Sequence, residues 1–486
     1  MGLPLLSTIL LCPLVAFGLI LCLPGRYINA VRWIALTAAT LTLLLSIQMM
    51  RSMDFTTPDF QFIENYAWMP AYGIRLSFGI DGMSAVMILL TAIIIFCGVI
   101  CSWTIKVRVK EFYANLLFLV AGVFGVFMST NLFFFFLFYE IAVLPMYFLI
   151  AIWGSTNRNY AAMKLTLYLL AGSTLIFTGF LMLYAHTGSG TFELMQLHNL
   201  EFSRSAQIIY YAMFFIGFGV LSALFPFHVW SPVGHVAAPT AASMLHAGVL
   251  MKLGAYGIIR IGLVLFPEGA RFWAPTTAIL AVCGIIYGAM IAVRQRDIKF
   301  IIGYSSVSHM GIVLLGISSL NSFGLEGAIF QMFSHGIMTA LFFACIGYIY
   351  DHCHTRSLDD LGGLVNQAPR ISVMFIIAGL VGLGLPGFSG FVAEFLVIVG
   401  AIQAFPIIGI ISTLALLITA FYVLSAIQSA FFGPVNSRFK DMPDIKSWQI
   451  FPRAILIMVL LVFGVAPKIF LDWIIPTSSH ILQVYS

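Results

Sequence analysis

The chain has 486 residues, of which 61% are hydrophobic and 8% are charged, with a formal net charge of +5. Soluble domains carry about 25% charged residues, so this composition excludes a soluble enzyme and indicates an integral membrane protein. The net charge is too small for this length to indicate a nucleic-acid-binding protein. The cysteines are scattered without a C-x-x-C pair, which predicts neither disulfides nor a metal site.

We expect a single polytopic membrane domain over residues 1–486, because apolar stretches of spanning length follow one another with short polar connections. The first stretch is too long for a signal-peptide core and is expected to be a retained helix. Two longer connections, 51–76 and 186–205, are expected at the membrane interface. Fourteen spans are predicted, at about 3–23, 28–50, 82–105, 112–129, 131–152, 160–185, 206–227, 238–265, 273–293, 298–318, 323–350, 370–398, 401–432 and 452–474.

The distribution of basic residues predicts the orientation. Most Lys and Arg residues follow odd-numbered spans, whereas the connections after even-numbered spans carry only Arg51, Arg75, Arg204 and Arg271. Basic connections stay on the cytoplasmic side, so both termini are predicted to lie outside. A β-barrel is excluded, because its strands would be about ten residues long and alternating.

Charges inside the predicted spans are the first functional candidates, because each costs about 2.5–3.5 kcal/mol at mid-membrane. They are Glu140, Lys164, Lys252, Arg260, Glu394 and Lys468. Arg260 and Lys468 can snorkel to an interface and are predicted to be anchors. Glu140 lies near the middle of span 5, and its side chain is too short to reach the membrane surface. We therefore favour a proton-linked role for it over a structural ion pair.

Two spans are predicted to be broken. "SALFPFHVWSPVGHVAAPTAAS" places prolines and a glycine between spans 7 and 8, and "GLGLPGFSGFVAEF" places them inside span 12, before Glu394. Proline removes a backbone donor and glycine loosens a helix, so carbonyls and amides become available to water or ions. Broken helices in both halves are typical of transporters built from inverted repeats.

Several histidines lie in or beside the same spans: His228, His235, His246, His309 and His335. Imidazole can exchange protons near neutral pH, so a proton relay is predicted, although a single membrane histidine can equally be a packed hydrogen-bonding residue. No two of these histidines have the i, i+4 spacing of a zinc pair, which argues against a metal site.

The segments "FYEIAVLPMYFLIAIWG", "AAPTAASMLHAGVLMKLGAYG", "DIKFIIGYSSVSHMG" and "GLPGFSGFVAEF" resemble the antiporter-like, proton-translocating membrane subunits of respiratory complex I. Mrp-type cation antiporters are related to the same family. The resemblance implies an all-α fold of about fourteen helices with two inverted five-helix repeats, spans 4–8 and 9–13, in which spans 7 and 12 are broken. The implied division is 1–110 for spans 1–3, 111–265 and 270–432 for the repeats, and 450–486 for span 14 and the C-terminus.

The resemblance also implies roles for individual residues. Glu140 would communicate with a neighbouring subunit, Lys252 would be the central proton carrier, and Glu394 would be the exit group. His309 and His335 match positions of the central polar axis. A glutamate at the end of that axis resembles the subunit-M branch of the family rather than its paralogues.

One position departs from the family pattern. The family places a lysine on span 7, five residues before the proline of a P-x-H-x-W element, where it pairs with the span-5 glutamate. In this chain Leu221 occupies that position. Three outcomes follow: Lys164 or His246 replaces the lysine, Glu140 is more often protonated, or the subunit pumps differently or not at all.

The function predicted from the resemblance is proton translocation within NADH:quinone oxidoreductase. NADH, FMN, iron–sulfur clusters and quinone would be bound by other subunits and no cofactor by this chain. Expected partners are the other membrane subunits, including neighbouring antiporter-like ones, the bilayer and protons, in a bacterial or archaeal cytoplasmic membrane. The alternatives are an Mrp-type antiporter subunit, a subunit of a membrane-bound hydrogenase or deazaflavin-dependent dehydrogenase, or a structural spacer without pumping.

Overall fold

The computed structural model describes residues 4–188 and 190–485, which are mostly helical. Helices α1 to α8 are Leu5–Cys22, Ile28–Ser52, Gly82–Cys101, Val109–Met128, Leu132–Trp153, Arg158–Thr187, Arg204–Leu221 and Trp230–Ala237. Helix α9 is Thr240–Leu263. Helices α10 to α17 are Pro267–Arg294, Ile298–Ser318, Ser322–Cys353, Pro369–Gly382, Ser389–Ala404, Pro406–Phe431, Ser447–Val465 and Pro467–Leu482.

The helices agree with the predicted spans. Within the described residues, thirteen helices are long and apolar enough to cross a membrane. The shorter apolar helices α13 and α14 occupy predicted span 12 as a pair. The prediction of an all-α membrane protein with about fourteen spans is therefore confirmed, while the inverted repeats stay a prediction.

Two predicted boundaries are wrong, and prolines explain both. Helix α14 continues to Ala404 and α15 begins at Pro406, whereas the sequence places this boundary at 398–401. Predicted span 14 is divided between α16 and α17, which begins at Pro467. Proline is tolerated in the first turn of a helix, where its missing amide hydrogen is not needed.

A β-hairpin occupies the first long connection, which was expected only to be interfacial. Strands β1, Gln61–Met69, and β2, Ile74–Ile80, pair antiparallel. Glu64 of β1 accepts hydrogen bonds from the backbone amides of Leu6, at 2.9 Å, and Ser7, at 3.0 Å. These amides have no partner inside α1 because they lie in its first turn, so the hairpin holds the start of that helix.

Both predicted breaks are present. Helix α7 ends at Leu221 and α8 begins at Trp230, whose indole donates to the Val220 carbonyl at 3.0 Å. The second break lies between α13 and α14, where Gly384 and Gly387 have φ values of +74° and +100°. Glycine adopts this left-handed region without the steric cost that other residues meet there.

The C-terminal end of α8 is held by hydrogen bonds from three separate segments. Arg356 donates to the carbonyl of Val236 at 2.9 Å. The backbone amide of Ser155 donates to the carbonyl of Ala237 at 2.8 Å. Lys299 donates to the carbonyl of Ala238 at 2.5 Å. The carbonyls that the helix end leaves free are thus satisfied by residues distant in sequence.

Helices α9 and α12 form the centre of the bundle, since their most apolar windows are 100% buried. They touch through Gly248 and Gly336: a Cβ added at Gly336 would lie 2.6 Å from the Gly248 carbonyl oxygen. Only glycine permits this backbone approach. Ionisable side chains on these two helices cannot reach lipid headgroups and must find partners within the protein.

Candidate functional site

Lys252 lies on α9 with its side chain fully buried. Its ammonium donates to the Ala247 carbonyl and lies 2.8 Å from Nδ1 of His335 on α12. Ala247 belongs to a π-helical stretch, His246–Leu250, and such stretches occur often at functional sites. Among the described residues, no carboxylate lies within ion-pair distance of Lys252. Its direct side-chain partner is therefore a group that can itself take up a proton.

The axis continues from His335 to Glu394. The rings of His335 and His309, on α11, are stacked with centroids 5.2 Å apart. Nε2 of His309 lies 3.3 Å from Oε1 of Glu394 on α14. All three side chains are buried. The structure therefore brings Lys252, His335, His309 and Glu394 together in one row.

His309 is surrounded by acceptors. Its Nδ1 lies 2.8 Å from the Ser305 carbonyl, and its Nε2 lies 3.2 Å from the Gly382 carbonyl as well as near Glu394. Both ring nitrogens can therefore donate when the ring is doubly protonated. The Gly382 carbonyl is available because α13 ends there, so the second break contributes directly to the site.

Glu394 is held by neighbours that sequence reasoning missed. Nε2 of Gln331 donates to its Oε1 at 3.3 Å, and a Cβ at Gly384 would lie 2.8 Å from its Oε2. Tyr422 contacts the His309 helix: its hydroxyl donates to the Ser305 hydroxyl at 2.8 Å. Gln331 and Ser305 each precede an axis histidine by four residues, which puts each on the same helix face as that histidine.

His235 and His246 form a second pair of histidines near Lys252. Their rings are 4.2 Å apart, and Trp230 packs 5.3 Å from His246. Both rings are fully buried, yet none of their nitrogens has a hydrogen-bond partner among the described protein atoms. Buried polar atoms of this kind are usually satisfied by ordered water.

His228 lies at the start of the α8 segment, away from the other two. Its ring stacks on Phe225 at 5.6 Å and meets the edge of Tyr287 at 4.8 Å. It is buried, and its nitrogens also have no protein partner within the described residues.

Glu140 is not joined to this axis by a direct contact. Its Oε1 is buried without a partner in the part of the chain that the structure describes. Leu221, in place of the family's lysine, is fully buried. Lys164 places its ammonium 5.5 Å from the Tyr160 ring, and His246 contacts His235 and Trp230. Among the described residues, neither Lys164 nor His246 forms an ion pair with Glu140. Which of the three outcomes applies stays a prediction.

The two predicted anchors differ. Lys468 is exposed and pairs with Asp472 at 3.1 Å, as an interfacial residue would. Arg260 is instead buried, and its Nη2 lies 2.7 and 2.6 Å from the two carboxylate oxygens of Asp81. The snorkelling prediction for Arg260 is wrong, because a carboxylate 179 residues away in sequence compensates its charge inside the protein.

A cavity lies near each end of α9. One, of about 380 Å³, is lined by residues that include Thr240, Lys299 and Arg356, and is called the Thr240 cavity. The other, of about 150 Å³, is lined by residues that include Asp81 and Arg260, and is called the Arg260 cavity. Lys252 lies between them along the helix.

The described residues contain no group of three or more His, Cys, Asp or Glu arranged to hold a metal ion. All the cysteines are free. The chemistry that the site can perform with its own side chains is proton transfer, because its members are lysine, histidine and carboxylate groups in a row.

Comparison with known proteins identifies close relatives. Residues 129–470 match a family model described as NADH:quinone oxidoreductase/Mrp antiporter, TM. NADH-quinone oxidoreductase subunit M of Rhodobacter capsulatus is 36% identical over 500 residues, which cover 99% of this chain and 97% of that protein. A chain of respiratory complex I from Thermus thermophilus with bound NADH superposes with a TM-score of 0.91 at 27% identity, covering 99% and 100% of the two chains. A chain of the Mrp complex from Dietzia sp. shares the fold, with a TM-score of 0.84 at 22% identity and coverage of 100% and 98%.

Proposed function

We propose a proton-translocating role for this chain, which belongs to the NADH:quinone oxidoreductase/Mrp antiporter family of transmembrane proteins. It would act as a membrane subunit of NADH:quinone oxidoreductase, as the name of the Rhodobacter relative suggests. The single observation that supports proton transfer most directly is the buried row Lys252, His335, His309 and Glu394, with its contacts at 2.8 and 3.3 Å.

The contacts suggest how a proton would move. The ammonium of Lys252 gives a proton to Nδ1 of His335, and burial favours this loss because a charged amine is poorly solvated in the protein interior. His335 would release its Nε2 proton by way of water, because this nitrogen has no partner among the described protein atoms. His309 would take up that proton and give one from its own Nε2 to Glu394, which would release it on the opposite side of the membrane. Lys252 is then reprotonated from the Thr240 cavity by way of His235, His246 and water. Each cycle carries about one proton when all groups return to their initial states.

The driving reaction would occur elsewhere. NADH, FMN, iron–sulfur clusters and quinone would be bound by other subunits, and their redox chemistry would alter the charge at one end of a row of antiporter-like subunits. Glu140 would receive this change, since an unpartnered buried carboxyl oxygen responds to a nearby charge. The Thr240 cavity would face the cytoplasm and both termini would lie outside, as the basic connections suggest.

Two features of the fold support the proposed inverted repeats, over 111–265 and 270–432. In each set of five spans the fourth is broken, at α7/α8 and at α13/α14. Each break also borders axis residues, His235 in the first and Glu394 in the second. Transporters of this type place their sites at such interrupted helices.

An Mrp-type cation/proton antiporter subunit is the second candidate. The shared fold with the Dietzia chain favours it, whereas the 36% identity over 99% of this chain to an oxidoreductase subunit favours the first proposal. A spacer without pumping is the third, and Leu221 is the observation behind it.

Proton pumping by the assembled complex in vesicles would test the proposal. Lys252→Ala and Glu394→Gln should lower the number of protons moved per electron, while the complex still assembles. Lys468→Ala and Glu268→Gln are matched controls, because these residues are exposed and form surface pairs. An unchanged proton-to-electron ratio in both axis variants would reject pumping by this chain and favour the spacer.

A further inference from the structure

The Asp81–Arg260 pair occupies the end of α9 opposite the Thr240 cavity. Arg260 follows Lys252 by eight residues, about 12 Å along a helix axis, and both side chains are buried. Asp81 caps α3 by accepting from the Ser84 amide at 3.0 Å. Tyr256, midway between the two cations, shares a hydrogen bond with the Ser84 hydroxyl at 2.8 Å.

This cluster separates Lys252 from the Arg260 cavity, which the pair itself lines. The guanidinium is further enclosed by the rings of Phe60 and Tyr256, whose centroids lie 5.0 and 5.3 Å from its central carbon. Arginine does not give up its proton in proteins. Both oxygens of Asp81 are engaged by Arg260, so the carboxylate is poorly placed to accept a passing proton.

We infer that the Asp81–Arg260 pair seals this end of α9 against protons. A fixed positive charge in a narrow buried path raises an electrostatic barrier to protons and other cations. A proton on Lys252 is thereby kept from the nearby Arg260 cavity and directed through His335 toward Glu394. The inference rests on the proposed role of Lys252 as proton carrier. Asp81 and Arg260 would prevent a proton from passing directly between Lys252 and the Arg260 cavity.

Passive proton leak provides the test, because it needs no redox turnover. Vesicles containing the whole complex receive a pH gradient without NADH, and its decay is followed with a pH-sensitive dye. Asp81→Asn combined with Arg260→Gln removes both charges without leaving a single buried charge unpaired. The decay should become several-fold faster than with the unaltered complex. Adding Lys252→Met should return it to the original rate.

Unaltered decay in the assembled double variant would overturn the inference. Fast decay that persists with Lys252→Met would also overturn it as stated, since the barrier would then lie on a path that bypasses Lys252. If the double variant does not assemble, Arg260→Lys decides, because it keeps a cation paired with Asp81 but one that can give up its proton. It should leak, and unaltered decay in this variant would overturn the inference. Failure of the proposed function is seen separately, as an unchanged proton-to-electron ratio in the axis variants.

Discussion

Replacing Gly384 with alanine tests whether the second break exists to position Glu394. Gly384 has a φ of +74°, and its added Cβ would lie 2.8 Å from Oε2 of Glu394. The left-handed conformation alone costs an L-residue about 1–2 kcal/mol, a factor of about 5–30 in the folded population. The added Cβ would also displace the carboxylate of Glu394. The other oxygen of that carboxylate lies 3.3 Å from Nε2 of His309. We expect slower transfer between His309 and Glu394 and fewer protons moved per electron.

Gly387→Ala is the matched control. Gly387 lies in the same break with a φ of +100°, but its added Cβ would meet nothing within 4 Å. It should show a similar loss of thermal stability with normal pumping. Both variants would be compared by proton-to-electron ratio in vesicles and by the unfolding temperature of the purified complex. Equal loss of pumping in the two variants would refute the reasoning, because backbone strain rather than the Glu394 contact would then be responsible.

Three further outcomes are expected. Gly336→Ala should lower pumping and destabilise the core by about 1–3 kcal/mol through overpacking, whereas Gly98→Ala, where the new Cβ has only contacts of 3.5 Å or more, should do neither. Leu221→Lys should destabilise the complex less when Glu140 is present than in a Glu140→Ala background, by about 3–5 kcal/mol if the lysine and the carboxylate form a buried pair. Equal thermal stability of the complex in the two backgrounds would show that the two side chains do not meet. Tyr422→Phe removes a 2.8 Å hydrogen bond to Ser305 and should cost about 1 kcal/mol in thermal unfolding with pumping only slightly reduced; complete loss of pumping would give Tyr422 a larger role than the contacts suggest.

Features with a local sequence signal could be predicted. Long apolar stretches mark the spans, prolines and glycines mark the two breaks, and isolated charges mark Lys252 and Glu394, because each depends on a few neighbouring residues. The resemblance to a known family then ordered the charges into one axis. The structure confirms that Lys252, His335, His309 and Glu394 are neighbours.

Long-range pairing could not be predicted in the same way. Arg260 and Asp81 are far apart in sequence, and nothing near either residue indicates the other. The hairpin was missed because its segment lies in a connection where apolar periodicity carries little information. The surroundings of Glu140 also depend on tertiary packing, so the sequence could only set out alternatives for its partner.

The hydrogen bonds at the C-terminal end of α8 fix this short helix beside the first break. The carbonyls of Val236, Ala237 and Ala238 are tied to three different segments, and the Trp230 end is joined to α7 by an indole hydrogen bond. Trp230 is also fully buried, and a Cβ added at Gly234 would lie 2.9 Å from Leu165, so packing holds the helix along its length. Helix α8 is therefore a brace: it holds His235 at a ring separation of 4.2 Å from His246 although the backbone that precedes the helix is not helical.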